Sequence, residues 1–235
     1  MSAPTEPTAT DSTERLEVHV WADLVCPWCY IAAHRLDAAI AAYELPSTVV
    51  VRHRAFELEP GMPRDVRVPV ADYLGEKYGG GRAAGVAMTE RVAGVAAEDG
   101  LRLDFARAVK TSTFDAHRLV ALADDLGGWQ LARAAMERFY AAHFQEGVAL
   151  ADHGMLVRLA AEAGLDERRV AEVLESDDAR DVGGYAAAVR DDEAQARATG
   201  VSSVPFAVAG GRLGVSGAQP VEVYVELLRR AAAGG

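Results

Sequence analysis

The chain has 235 residues, with 24 Lys and Arg against 35 Asp and Glu, a formal charge of −11, and half of its residues hydrophobic. That balance excludes an intrinsically disordered chain, and an acidic sequence without a Lys/Arg cluster excludes nucleic acid or an anionic membrane as the main partner. The length suits one large domain or a small one carrying an insertion, with a core that needs no disulfide scaffold.

Residues 1–15, MSAPTEPTATDSTER, read as a disordered lead-in rich in Pro, Thr, Ser and Ala. They lack the basic and apolar stretches of a secretory signal. No apolar run approaches the roughly 18 residues of a membrane span, so the expected compartment is the cytoplasm. Leu16, Val18, Val20 and Ala22 then alternate with Glu17, His19, Trp21 and Asp23, a period that predicts a strand. The tetrad CPWC follows at 26–29 and holds both cysteines of the chain. Beyond it Cys29, Ala33, Leu36, Ile40 and Tyr43 recur at helical spacing, with Pro46 just past the end, which predicts a helix of about five turns. Thr48 to Phe56, TVVVRHRAF, is β-branched and bounded by Pro60, Gly61 and Pro63, a second strand. Strand, helix and strand make a βαβ unit, for which parallel pairing is the default.

From about Val70 to Gln195 the sequence is Ala-rich and strand-poor. Segments such as GRAAGVAMTERVAGVAA, FDAHRLVALADDLG, WQLARAAMERFYAAHF, HGMLVRLAAEAG and ERRVAEVLES predict about four to six helices separated by Gly-containing breaks. No period repeats, which argues against a solenoid. Near the end Val204 to Val208 reads as a short strand, Gly210-Gly211 as a turn, and Arg212 to Val215 as a return strand. Pro220 is placed in the first turn of the final helix, VEVYVELLRRAAA.

The tetrad carries the chemistry. Pro27 suits the first helical position, so Cys26 becomes the N-cap and Cys29 the third helical residue. A sulfur at an N-cap faces the N–H groups of Trp28 and Cys29 and gains there as a thiolate. The helix terminus adds about 1 kcal/mol, and ~1.4 kcal/mol is one pKa unit. The expectation is an exposed, nucleophilic Cys26 of lowered pKa, and an inward-facing Cys29 that stays a thiol. A structural staple closing so small a ring would add only roughly 2 kcal/mol. A zinc site would need a second pair of ligands, and the six His are scattered singly, so no metal is expected. Two merely buried cysteines would leave Pro27 between them unexplained.

VWADLVCPWCYIAAHRL, TFDAHRL at 113–119 and GVSSVPFAVAGGRLGVSGAQP resemble the DsbA-like thioredoxin-fold oxidoreductases, specifically the FrnE-like cytosolic branch with CPWC, over residues 16–231. The resemblance implies an α/β thioredoxin fold (βαβ plus ββα), formed by residues 16–63 and 196–233 and split by an all-α insertion over 64–195. It implies Cys26 as nucleophile, Cys29 as resolving thiol, and Pro27 and Trp28 as the dipeptide that tunes the pair. Pro205 would be a cis-proline, with the Val204 backbone turned to the sulfurs and able to pair with an extended substrate. The chain departs from the family in having Ser112-Thr113 where Asn-Thr is usual, and in lacking the C-terminal cysteine pair of some members.

The remaining candidates carry two readings each. Asp23 either helps move the Cys29 proton or ends the strand as a turn residue. His117 is either a proton shuttle or a packing residue of the helical block. Trp28 either meets substrate or packs against that block, and His34 reads as solvated. The function these residues point to is thiol–disulfide exchange on protein clients or small-molecule disulfides. It needs no metal or organic cofactor, and a low-molecular-weight thiol is a candidate reductant. The Ala/Arg-rich, Lys-poor composition suggests a bacterial source, and a homodimer is left open. Two other readings stand beside it. Kappa-class glutathione transferases and 2-hydroxychromene-2-carboxylate isomerases are similar in fold, but typically have Ser at the Cys26 position and no resolving Cys. A chaperone-like peptide-binding module would use the cleft between core and helical block.

Overall fold

In chain order the elements are β1 (Leu16–Ala22), α1 (Pro27–Ala42), β2 (Val49–Ala55), β3 (Val68–Pro69), α2 (Val70–Lys77), α3 (Gly81–Glu98) and β4 (Val109–Lys110). They continue with α4 (Phe114–Ala141), α5 (His153–Glu162), α6 (Glu167–Glu175), α7 (Tyr185–Thr199), β5 (Phe206–Ala209), β6 (Leu213–Ser216) and α8 (Val221–Ala232). The computed structural model describes residues 15–45, 48–176 and 180–234. The expected lead-in before Arg15 and the position of Pro46 lie outside the described residues.

β1 sits inside the main sheet, whose order is β2-β1-β5-β6. It pairs in parallel with β2, Val18 opposite Val51, and antiparallel with β5, Val18 opposite Ala209. β6 returns against β5. This is the thioredoxin-like arrangement that the sequence led us to expect. One face of β1 is apolar as the alternation requires: Leu16, Val18 and Val20 pack with Ala32, Leu36, Ala39 and Ile40 of α1 and Tyr224, Leu227 and Leu228 of α8. Burying each Val, Leu or Ile of this set contributes about 1.5–3 kcal/mol. The other face is less polar than alternation suggests, because α7 covers it. Trp21 is buried with Ala196 and Val201, and its indole N–H donates to the Asp192 carbonyl at 3.2 Å.

α1 is apolar on two sides, not along the single stripe the spacing predicts. Its Ala32, Leu36 and Ile40 face the sheet core, while Cys29, Tyr30 and Ile31 belong to the core of the helical block with Leu119, Phe139, Tyr140 and Phe144. α1 is therefore the wall shared by both cores. Several boundaries differ from expectation, and β5 begins at Phe206 rather than at Val204. Arg212 lies in the β5–β6 turn, where Gly210 and Gly211 hold positive φ of 58° and 67°. Pro220 is the N-cap of α8, one position before the helix. The segments expected on either side of Gly127-Gly128 form one element, α4, kinked where Gly128 takes φ 71° and ψ −172°. The pair β3–β4 was not expected, since two residues per strand are too short to show alternation.

The FDAHRL segment opens α4 and explains its own composition. Arg118 and Asp115 are buried side by side, Nη1 to Oδ1 at 2.8 Å. Arg118 also donates to Ser176 Oγ at 2.6 Å and to the Val173 carbonyl, which ties α4 to the end of α6. Asp115 is further held by Arg64 at 2.7 Å and His153 at 2.8 Å.

Candidate active site

The chain leaves β1 through Asp23, Leu24 and Val25, and the Cys26 N–H closes the turn on the Asp23 carbonyl at 3.1 Å. Cys26 is the N-cap of α1, with φ −93° and ψ 112°, and Pro27 is the first helical residue. The helix starts there because Pro27 has no N–H to lose at a position where none is bonded. Cys26 and Cys29 are both free thiols.

Their exposure corrects one expectation. Cys26 is only 5% exposed and Cys29 2%, so the first sulfur is covered rather than open. Its surroundings come from distant parts of the chain: Val204 and Phe105 share a cavity wall with it. The Cys26 sulfur also accepts no cap hydrogen bond from a backbone N–H of the first helical turn. The Cys29 N–H is engaged by the Cys26 carbonyl at 3.0 Å, and the Cys26 thiol instead points to the Val204 carbonyl at 3.9 Å. Burial pushes the Cys29 thiol well above its ordinary value, and its bond to Cys26 and the nearby charges of Cys26 and Asp23 add to this. The Val204–Pro205 peptide is cis.

A cavity of about 400 Å³ opens in front of Cys26, Pro27 and Trp28. Val70, Leu74, Val92 and Phe105 make much of it apolar. One wall is charged: Lys77 Nζ reaches Glu59 Oε1 at 2.8 Å, Lys110 Nζ reaches the same oxygen at 3.1 Å, and the Tyr73 hydroxyl donates to it. Lys77 and Tyr73 hold the Glu59 carboxyl down at about 2. Lys110 Nζ also lies 3.2 Å from the centre of the Tyr73 ring. Trp28 is 39% exposed at the mouth of α1.

Behind the sulfurs the structure brings Asp23 and His117 together. His117 Nε2 lies 3.5 Å from Asp23 Oδ1, and Asp23 Oδ2 accepts the Leu58 N–H at 2.7 Å. Tyr140 donates to the Asp23 carbonyl at 3.4 Å, and burial together with the two cysteines pushes its hydroxyl up. His34, expected to be solvated, is partly exposed but also has a partner. Its Nε2 meets Glu137 at 2.9 Å, and Glu137 also receives the Tyr30 hydroxyl at 2.6 Å, so this cluster fastens α1 to α4.

Sequence reasoning missed the wall residues Glu59, Tyr73, Lys77 and Lys110, and it missed His143. His143 sits in a π-helical turn, Ala142–Glu146. Its Nδ1 lies 3.2 Å from the Val148 carbonyl, and burial lowers it to about 4. Only the π-turn itself, a frequent mark of functional sites, would have flagged it, and the sequence carries no signature of one. Among the described residues, no group of three or more His, Cys, Asp or Glu is placed to hold a metal ion, and no helix is long and apolar enough to cross a membrane.

The geometry can be set beside known proteins. No curated protein sequence matches the chain. The crystal structure of a probable DsbA oxidoreductase from Streptomyces coelicolor is 38% identical, covering 94% of this chain and 92% of that one, with a TM-score of 0.86. The cytosolic disulfide reductase DsbM from Pseudomonas aeruginosa is 23% identical over 92% of this chain and 95% of its own, with a TM-score of 0.58. A 2-hydroxychromene-2-carboxylate isomerase is 16% identical over 91% and 95%, with a TM-score of 0.67. The last two are likenesses of fold. A family model described as the DSBA-like thioredoxin domain matches residues 17–229. A match over nearly the whole length, together with a sheet whose first strand delivers both cysteines to the start of a helix, leaves one conclusion: the chain belongs to the DSBA-like thioredoxin domain family.

Proposed function

We propose that the protein is a thiol–disulfide oxidoreductase working through Cys26 and Cys29. Cys26 attacks a substrate disulfide, or the oxidised pair accepts a substrate thiol. A mixed disulfide forms on Cys26, and Cys29 or the substrate thiol resolves it. The observation that carries this reading is the asymmetry of the two sulfurs. Cys26 borders the front cavity beside the Val204 carbonyl, while Cys29 lies behind it, held as a thiol by burial. Pro27, Trp28, Val204 and Pro205 then shape the approach of substrate to Cys26.

The chemistry runs on two sulfurs and calls for no metal or organic cofactor. A small thiol or disulfide, or a locally extended protein segment, is the substrate that a covered sulfur admits. The cytoplasm is the compartment in which we place it, since an isolated reactive pair in a chain without a disulfide scaffold suits a reducing setting. The transferase or isomerase reading has nothing specific in its favour, because it leaves Cys29 without a role.

A Cys29→Ala variant tests the proposal. It should accumulate mixed disulfides through Cys26 in cells and lose insulin-disulfide reduction, while Cys26→Ser should form none. Equal trapping by Cys26→Ser, or retained conjugation of a small aromatic substrate by it, would sink the assignment.

A further inference from the structure

Cys26 is 5% exposed, yet the proposed exchange needs a disulfide to reach it. Part of the cover comes from α2 and α3, whose Val70, Leu74, Met88 and Val92 line the front cavity with Cys26 and Trp28. These two helices make one unit. A Cβ at Gly75 would lie 2.0 Å from the Gly81 carbonyl oxygen, and one at Gly85 1.9 Å from that of Ala71. The backbones meet where only glycine fits. The second half of α3 joins the core of the helical block through Ala96 and its partly buried neighbours Val92, Ala93 and Val95. Among the described residues, α2 has no member in any hydrophobic core. An element that buries so little apolar surface opens at low cost.

Polar contacts tie α2 to the body of the protein in two places. At its start the Val70 N–H donates to the Ala108 carbonyl at 3.1 Å, and the residues just before it pair as β3 with β4. Further along, Lys77 Nζ lies 2.8 Å from Glu59 Oε1, and the Tyr73 hydroxyl donates to the same oxygen. Glu59 stands on the body side. Its neighbour Leu58 is held through its N–H by Asp23 at 2.7 Å. Lys110 of β4 reaches Oε1 at 3.1 Å and lies 3.2 Å from the centre of the Tyr73 ring. The first tie is backbone and can act as a hinge, whereas the second depends on one carboxylate. The Glu59 and Lys77 side chains are 39% and 43% exposed, a setting in which ion pairs are weak and salt screens them.

We propose that Glu59 is a positioning residue that latches α2 over the front cavity, and that its release lets α2 and α3 swing on the β3–β4 pair to admit the larger disulfides of protein clients. The inference rests on the dithiol reading above. Closed, the cavity of about 400 Å³ takes a small disulfide. Open, its mouth is bordered by Trp28 and Leu58 on the body and by Tyr78 at the end of α2, all exposed. These apolar side chains can hold the flanks of an extended segment. A substrate that binds only the open form has its apparent affinity reduced by the fraction open. Weakening the latch therefore lowers its half-saturating concentration and leaves the rate of attack by Cys26 alone.

The test uses the full chain carrying Cys29→Ala, so that a mixed disulfide formed on Cys26 persists. Two probes are compared: bis(2-hydroxyethyl) disulfide, and the disulfide-linked dimer of a blocked pentapeptide without charged residues. Both are uncharged, so the charge lost at position 59 does not act on them directly. Attack by Cys26 on either probe forms the mixed disulfide and releases one thiolate, and rapid quenching with mass spectrometry follows the adduct against probe concentration. Glu59→Gln should lower the half-saturating concentration of the peptide probe by about fivefold, the size expected of a few weak exposed contacts. The small probe should gain nothing. Molar potassium chloride, where the screening length is about 3 Å, should give the same gain to the protein that keeps Glu59 and add none to Glu59→Gln. Should Glu59→Gln fail to fold, Lys77→Met should show part of the same gain. Equal gains for both probes, a peptide probe whose half-saturation does not move, or salt acting alike with and without Glu59 would overturn the latch. Absence of any adduct on Cys26 when Glu59 and Lys77 are both in place would instead remove the dithiol reading, so the two failures look different.

Discussion

Replacing Arg118 with Met should destabilise the protein by about 3 kcal/mol without altering the chemistry of the cysteines. The side chain is 1% exposed, and its guanidinium donates to Asp115, Ser176 and Val173. Breaking a buried ion pair by removing one partner costs about 3–5 kcal/mol, because the other charge is left uncompensated. Here Asp115 keeps Arg64 and His153, which puts the cost at the lower end. The loss also falls on the acceptors at the end of α6, of which the Val173 carbonyl keeps the Ser176 hydroxyl. For a chain of this length each kcal/mol moves the melting temperature by about 2–4 °C, so the expected fall is about 6–12 °C. Urea denaturation should show a lower midpoint with unchanged slope. Asp115→Asn should then cost less in the Arg118→Met background than alone, by about 0.5–3 kcal/mol of coupling. A loss below about 1 kcal/mol would show that Arg118 does not fasten α4 to α6, and strictly additive variants would show that Asp115 and Arg118 do not act as a pair.

Two further outcomes follow from the geometry. Burial alone would raise the Glu137 carboxyl, but His34, Tyr30 and Arg133 outweigh it and hold it at about 2. A depressed carboxylate stabilises the fold above its ordinary value of 4.5 and loses that contribution as pH falls toward about 2. Glu137→Gln should therefore flatten the acid limb of a stability–pH curve between those values, and an unchanged limb would remove the α1–α4 cluster from the acid response. Gly85 in α3 is the second: a Cβ there would lie 1.9 Å from the Ala71 carbonyl of α2, which must shift. Gly85→Ala should cost about 1–3 kcal/mol and raise KM for small disulfides, because α2 carries Tyr73 and Lys77 of the cavity wall. An unaltered KM would separate α2 from substrate binding.

Much of the fold was legible because it is written locally. The alternation of Leu16, Val18 and Val20, the proline after Cys26 and the paired glycines at 210 and 211 each fix a few successive backbone conformations, and the structure shows the corresponding strand, helix start and turn. What was not legible depends on elements meeting across the sequence. Trp21 reads as the exposed side of a strand until α7 covers it. His34 reads as a solvated helical residue until Glu137, 103 residues later, reaches it.

The same distinction governs the candidate site. An N-cap position says that a sulfur sits where a helix begins, and nothing about what covers it. Cover is set by Phe105 and by Val204, the latter 178 residues beyond Cys26. Burial acts on the two sulfurs in opposite senses for the proposed reaction. For Cys29 it holds the proton until a disulfide is presented. For Cys26 it would limit access to what the front cavity admits, so selectivity in the proposed exchange would be set by α2, α3, the segment from α3 to β4 and the loop before β5 together with Pro27 and Trp28. Exchanging Pro27 or Trp28 would then be expected to change the rate and equilibrium of exchange, whereas changes at Tyr73, Lys110 or Phe105 would change which disulfides arrive.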